Sequence, residues 1–107
     1  MYVRIVKLSF MNDFSKEAAS NLLVQIGKTQ GFAEGMLLRM SVDVSNTQIY
    51  SVTIWPNKKI EDITWKLFGE EVLKKLRDTG ARVEISKGEI NEMNISKDLD
   101  LSSFLID

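Results

Sequence analysis

Apolar and polar positions alternate with two different periods along the chain, and each change of period marks a new element. Residues 2 to 11 are rich in Val, Ile, Leu, Tyr and Phe and too short for a buried helix, which predicts a first strand. After Asn12, apolar residues recur every three or four positions, and Ser15 is a residue type that caps helices. This pattern predicts a helix over about 15–29, which Gly31 ends.

A hairpin is predicted in the middle of the chain. From Gly35 the apolar period changes to two, which is the spacing of a β-strand. The polar pair Ser45-Asn46 interrupts the alternation, which then resumes and ends at Trp55. Pro56 ends the second of these strands because proline has no N–H to donate to the ladder.

The last third of the domain predicts a helix and an edge strand. A broad apolar stripe between 58 and 78 indicates the helix, and Asn57 can cap it. Gly69 costs about 1 kcal/mol relative to alanine in a helix interior, so we expect a kink or a split there. After Gly80, residues 81–86 alternate and are polar on one side, which predicts a short edge strand.

The order strand, helix, strand, strand, helix, strand predicts an α+β protein of the ferredoxin-like βαββαβ plan. Both helices then cover one face of an antiparallel four-stranded sheet. Residues 1–90 form this domain, and 91–107 form a C-terminal tail. The tail is too apolar for a solvated linker, and we expect it to pack on a second copy of the chain. Its apolar residues are Met93, Ile95, Leu99, Leu101, Phe104, Leu105 and Ile106.

The strand alternation also assigns side chains to the two faces of the sheet. It predicts that Tyr50 lies under the helices. The opposite face receives Leu37, Arg39, Ile49 and Trp55. No third layer of the chain is available to cover that apolar surface, and a second copy of the same sheet is the simplest cover. The pattern therefore predicts a homodimer that encloses an α+β barrel, with a monomer that has a partly hydrated sheet face as the alternative.

Composition narrows the chemistry. The 107 residues suffice for one domain, and 14 basic against 15 acidic side chains give a net charge of −1, which excludes an electrostatic footprint for nucleic acid or an anionic membrane. The chain has no cysteine and no histidine, so thiol nucleophiles, imidazole bases and zinc fingers are excluded, and no metal site is predicted. No apolar run approaches the roughly 20 residues that cross a bilayer, so we expect a cytoplasmic protein.

Over about residues 1–90 the chain resembles the antibiotic biosynthesis monooxygenase family of dimeric α+β barrels. The resemblance is carried by the turn GFAEG at 31–35, by the long hairpin, and by a third strand that ends in Trp55 and is followed by PNKK at 56–59. It implies the fold and the dimer. It also implies a cofactor-independent monooxygenase that acts on a small aromatic or polyketide-like substrate.

The resemblance implies a site between the second helix and the sheet. Some members of the family place a tryptophan on this helix, which corresponds to Trp65, although such a residue can also simply pack in the core. The haem-degrading branch requires a histidine that this sequence lacks, so no haem and no other cofactor is expected. The cofactor-independent branch needs only a polar group that holds a phenolate and an aromatic pocket that excludes water.

Two further candidate catalytic residues are Tyr50 and Asn12, which can hydrogen-bond to a substrate oxygen. The alternatives are that Tyr50 is a buried phenol bonded to backbone and that Asn12 is a turn residue. Arg39 is a candidate ligand-binding residue because a guanidinium inside the barrel binds a carboxylate or phenolate. Its alternative role is a pair with Asp43 on the same strand face.

Met40 and Phe68 complete the predicted ligand-binding set as apolar wall residues, with core packing as their alternative. A pocket on the order of 300 Å³ or more that exposes Trp65 favours the enzyme. A filled core favours the second hypothesis, a non-catalytic dimeric barrel that binds a small ligand or serves in a stress response. Neither hypothesis involves a nucleic acid or a membrane.

Overall fold

The computed structural model describes residues 1–105, except for the side chain of Thr29, and it confirms the ferredoxin-like α+β fold. Ile106, which the sequence assigns to the apolar set of the tail, lies outside the described residues. The strands are β1 Tyr2–Ser9, β2 Leu38–Ser45, β3 Gln48–Trp55 and β4 Arg82–Glu89. The helices are α1 Asp13–Thr29, α2 Lys58–Thr64 and α3 Glu70–Asp78, with a π-helical turn at Trp65–Gly69 and a 3₁₀ turn at Ser102–Phe104.

The four strands form one antiparallel sheet in the order β2-β3-β1-β4. β1 lies in the centre, where Tyr2 pairs with Trp55 on one side and with Glu89 on the other. β4 is an edge strand, as predicted, but it extends beyond the predicted range of 81–86. The extension occurs because the whole length of β1 is available for pairing, and Ile90 then donates to the carbonyl of Met1 at 2.9 Å.

The start of α1 differs slightly from the prediction. Asn12, rather than Ser15, is the cap: its extended backbone precedes the helix, and its side-chain oxygen accepts the backbone N–H of Ser15 at 2.8 Å. Asp13 in the first turn complements the helix dipole. Gly31 follows the helix with φ of +98°, which is the left-handed conformation expected at a helix stop.

The second helical region is split near Gly69, as predicted, and the packing of Trp65 is the cause of the break. α2 and α3 are joined by the π-helical turn, and the indole of Trp65 folds back onto Gly69 at the end of that turn. A Cβ at position 69 would overlap the indole, so only glycine permits this packing. Turns of this kind occur frequently at functional sites.

The predicted assignment of β3 to the two faces is wrong. Ile49 and Trp55 lie under the helices with 1% exposure each, and the register places Tyr50 opposite Lys7 on the other face. Arg39 also lies on the helix-covered face, since it pairs with Thr53. Apolar residues lie on both faces of β3, so the pattern along this strand does not decide which face the helices cover.

Two buried apolar clusters hold the helices against the sheet. The larger one consists of Val6, Leu8, Phe10, Ala19, Leu23, Ile49 and Leu76. The smaller one consists of Tyr2, Met36 and Trp55, with Phe32 and Ile60 packed against it. Burial of a large apolar side chain contributes roughly 1.5–3 kcal/mol, so these clusters stabilise the packing of the helices on the sheet.

The described part of the tail, residues 91–105, is exposed throughout. Its apolar side chains include Ile95 at 64%, Phe104 at 77% and Leu105 at 73% exposure. The tail therefore does not pack on the apolar core of its own domain, and its packing on a partner subunit stays a prediction.

Candidate functional site

A cavity of about 80 Å³ lies between the sheet and the helices and is partly open to solvent. Members of both apolar clusters contribute to its walls, together with polar groups of β1, β2 and β3. The wall residues that carry chemistry are Arg4, Arg39, Ser51, Trp55, Trp65 and Phe68. Its volume is well below the expected 300 Å³ because the side chains of the wall occupy much of the space between the layers.

Trp65 forms part of the cavity wall, and three neighbours fix its position. Gly69 leaves room for the indole within the π-helical turn. The guanidinium carbon of Arg4 lies 5.0 Å from the centroid of the Trp65 ring, and the Nζ of Lys87 lies 4.4 Å from it. Cations at these distances interact favourably with the π system. Trp65 is thus a fixed element of the wall.

Glu61 of α2 anchors the two cations next to Trp65. Its side chain has no exposed surface, and its Oε1 accepts a hydrogen bond from Arg4 Nη1 at 3.3 Å and forms an ion pair with Lys87 Nζ at 2.8 Å. Within residues 1–105, its Oε2 has no hydrogen-bond partner. The spacing in the sequence does not single out this residue, because Glu61 and Asp62 look like ordinary acidic residues at a helix start.

Arg4 projects from the centre of the sheet into the cavity wall. It lies near two aromatic rings, with its guanidinium carbon 5.2 Å from the centroid of Trp55 and 5.0 Å from that of Trp65. Burial lowers the pKa of Arg4, and the carboxylate of Glu61 opposes this shift. Arg4 is therefore a partly compensated buried cation.

Arg39 is the second guanidinium of the cavity. It lies against the backbone of α1 at Gly27, where an added Cβ would overlap its Nη1. Burial lowers the pKa of Arg39, and the positive charge of Arg4 lowers it further. The alternative role of Arg39, a pair with Asp43, is not observed, since Asp43 Oδ1 lies 3.3 Å from Lys16 Nζ. In the described part of the chain, no carboxylate lies within ion-pair distance of Arg39.

The structure brings together three of the six predicted site residues. Trp65, Arg39 and Phe68 all line the cavity. Tyr50 and Met40 do not, because both lie on the other face of the sheet. Asn12 is exposed and caps α1, so the turn interpretation describes its position.

Three hydroxyl residues that the sequence does not predict as site residues line the same cavity. Thr53 Oγ1 accepts the indole N–H of Trp55 at 2.9 Å, and Thr64 Oγ1 donates to the carbonyl of Ile60 at 2.9 Å. Ser51 is buried in the cavity wall between these strands and helices. Ser51 and Thr53 occupy alternate positions of β3, and this spacing places both on the same face as Ile49 and Trp55.

The cavity combines aromatic walls with two guanidiniums, and none of the described residues that line it is a carboxylate. Such a site can hold a small anion that carries an apolar or aromatic group. Within residues 1–105, no group of three or more acidic side chains is arranged to hold a metal ion. No helix in that part of the chain is long and apolar enough to span a membrane.

No family model and no curated protein sequence matches the chain. Solved structures do match it. A dimeric ferredoxin-like protein from an uncultured marine organism has a TM-score of 0.76 at 14% identity, over 90% of this chain and 100% of that one. A putative antibiotic biosynthesis monooxygenase from Deinococcus radiodurans has a TM-score of 0.70 at 20% identity, over 90% and 99%.

A third similar structure is a monooxygenase of Streptomyces coelicolor in complex with nanaomycin D. It has a TM-score of 0.72 at 10% identity, over 90% of this chain and 92% of that one. These likenesses confirm the ferredoxin-like fold, and at the level of fold they support the resemblance to antibiotic biosynthesis monooxygenases.

Proposed function

We propose that this protein is a cofactor-independent monooxygenase that oxidises a small, electron-rich aromatic or polyketide-like substrate. The observation that carries the proposal is the guanidinium of Arg39, which lines an aromatic-walled cavity with no carboxylate of residues 1–105 in ion-pair distance. A putative monooxygenase and a monooxygenase solved in complex with nanaomycin D have the same fold and support the reaction class.

The proposed reaction requires only a few groups from the protein. A phenolic or enolisable substrate loses a proton to solvent at the open mouth of the cavity, and Arg39 holds the resulting oxyanion. The carbanion form of the substrate then transfers electrons to dioxygen, and a carbon–oxygen bond forms to give a hydroperoxide. Loss of water leaves a carbonyl, so that CH₂ and O₂ become C=O and H₂O. Trp65 and Phe68 line the wall and limit the access of water.

The proposal includes a homodimer, because several apolar residues on the sheet face opposite the helices are exposed. Met40 and Val42 on this open face are 43% and 41% exposed. Further apolar residues on this face include Val3, Ile5, Leu38, Val44, Val52 and Ile54. A second copy of the same face buries this surface, and the exposed tail is then available to pack on the partner.

A second candidate function is binding of a small ligand without catalysis. The size of the cavity favours it, since about 80 Å³ is small for a complete polyketide. The two candidates differ in whether the bound molecule is oxidised.

Incubation with an anthrone under ¹⁸O₂ tests the oxygenase. We expect the corresponding quinone, with one ¹⁸O atom per new carbonyl, to form faster than in buffer alone. The matched control is the protein with Arg39 replaced by glutamine, a shorter polar side chain that carries no charge. Quinone formation at the buffer rate with every anthrone and phenol offered contradicts the oxygenase and leaves the binding function.

A further inference from the structure

Two guanidiniums face one small cavity, and this arrangement carries an inference about the ligand. Arg4 and Arg39 both line the cavity, whereas no carboxylate among residues 1–105 does. Glu61 lies behind Arg4 and is shared between Arg4 and Lys87, so one carboxylate serves two cations there. Arg39 has no carboxylate within ion-pair distance in the described chain. The local charge is therefore positive before any ligand binds.

We infer that the cavity binds a small aromatic carboxylate, with the carboxylate oxygens accepting hydrogen bonds from Arg39 beside Arg4. This inference rests on the proposed function in that it names the substrate class of the same cavity. A neutral phenol leaves the charge of Arg39 uncompensated, and that of Arg4 only partly compensated by Glu61, until the phenol reacts. A carboxylate is already ionised at neutral pH and compensates the charge in the resting complex.

The shape of the groups favours a carboxylate over other anions. A guanidinium presents its N–H donors in a planar fork that matches the two oxygens of a carboxylate. The cavity of about 80 Å³ is small and its walls are largely apolar, which disfavours a strongly hydrated phosphate dianion. Phe68 and Trp65 line the same wall and provide aromatic surface for the ring of the ligand.

The contact with Gly27 indicates that the guanidinium of Arg39 is held in a defined position. The guanidinium of Arg39 lies directly against α1 at this glycine, and any side chain there would displace it. Glycine lowers helix stability by about 1 kcal/mol relative to alanine. The close approach therefore gives a physical reason for a glycine in the last turns of α1.

Calorimetric titration with benzoate and with its neutral analogue benzamide tests the inference on the native protein. We expect benzoate to bind at least about tenfold more tightly than benzamide, because only benzoate compensates the two guanidiniums. Equal affinities, or binding of neither compound, overturn the inference. This comparison needs no variant, so it remains decisive even where a substitution prevents folding.

Two variants then locate the site. Arg39→Gln is expected to weaken benzoate binding at least about tenfold and to change benzamide binding by less than about twofold. Gly27→Ala keeps the charge but displaces the guanidinium, and it is expected to weaken benzoate binding in the same direction. Arg77→Gln, on the exposed side of α3, is the control and is expected to leave both affinities unchanged. Unchanged benzoate affinity in Arg39→Gln overturns the inference.

The same probes separate this inference from the proposed function, because benzoate has no oxidisable C–H group of the required kind. Arg39-dependent benzoate binding without oxidation of any phenol or anthrone leaves the carboxylate site standing and overturns the oxygenase. Oxidation of a neutral anthrone without benzoate binding does the reverse.

Discussion

The two faces of the sheet have opposite distributions of charge and exposure. Under the helices, Glu61 is fully buried and Arg4 and Arg39 line a cavity. On the open face, by contrast, apolar side chains such as Met40 and Val42 are more than 40% exposed. Ordinary folding places apolar groups inside and charges outside, and each departure is unfavourable without a partner. The comparison therefore indicates two different partners, an anion for the cavity and an apolar surface for the open face.

The largest expected effect comes from placing a charge on the open face. Val52 lies near its centre, where it pairs with Ile5 on one side and Met40 on the other. Val52→Lys is expected to raise the dimer dissociation constant at least about 100-fold, because each subunit would bury an unpaired ammonium. Sedimentation velocity measures the change as a shift from twice 12.2 kDa to 12.2 kDa.

Asp78→Lys, at the exposed end of α3, is the control for a change of charge alone, and it is expected to leave the dimer intact. A native protein that sediments as a monomer at every concentration contradicts the role assigned to the open face.

The next effect concerns the buried charges under the helices. Glu61→Gln removes the carboxylate shared by Arg4 and Lys87, and we expect the free energy of unfolding to fall by about 3 kcal/mol. The matched control is Glu71→Gln, which removes an exposed pair with Lys75 at 3.4 Å and is expected to change stability by less than about 0.5 kcal/mol. Urea denaturation measures both. Equal losses of stability in the two variants would contradict the claim that the buried carboxylate under the helices contributes more than an exposed one.

A smaller effect is expected at the π-helical turn. Gly69→Ala places a methyl group where the Trp65 indole lies, which we expect to cost about 2 kcal/mol and to alter tryptophan fluorescence. Gly88→Ala on β4 is the control, since an added Cβ there contacts nothing within 4 Å. It is expected to leave stability within about 0.5 kcal/mol of the native value. Gly69→Ala with native stability and fluorescence would contradict the account of the turn.

Much of the fold follows from local patterns in the sequence. The change of period at Gly35 predicts β2, the polar break at Ser45 predicts the hairpin, and Gly69 predicts the split of the second helical region. These features are local, so turn chemistry and periodicity suffice to predict them. The boundaries shifted by a few residues where pairing with a neighbouring strand, as in β4, extended an element.

The choice of sheet face was not predictable in the same way. β3 has apolar residues on both faces, with Ile49 on one and Val52 on the other, and only its packing with β1 and the helices decides which is covered. The error placed Tyr50 under the helices and Arg39 on the open face. The ion pair between Arg4 and Glu61 was also not predictable from local patterns, because the two residues are 57 positions apart in the sequence.

The reaction itself is tested most directly by the rate of oxygen uptake with a phenolic or anthrone carboxylate, measured as kcat/KM for the native protein and for Arg39→Gln. The account predicts catalysed uptake by the native protein and a loss of at least about 100-fold in the variant, because the oxyanion loses its charged hydrogen-bond donor. Arg77→Gln should retain the native rate. Uptake at the rate of buffer alone, or an Arg39→Gln variant as active as the native protein, would contradict the account.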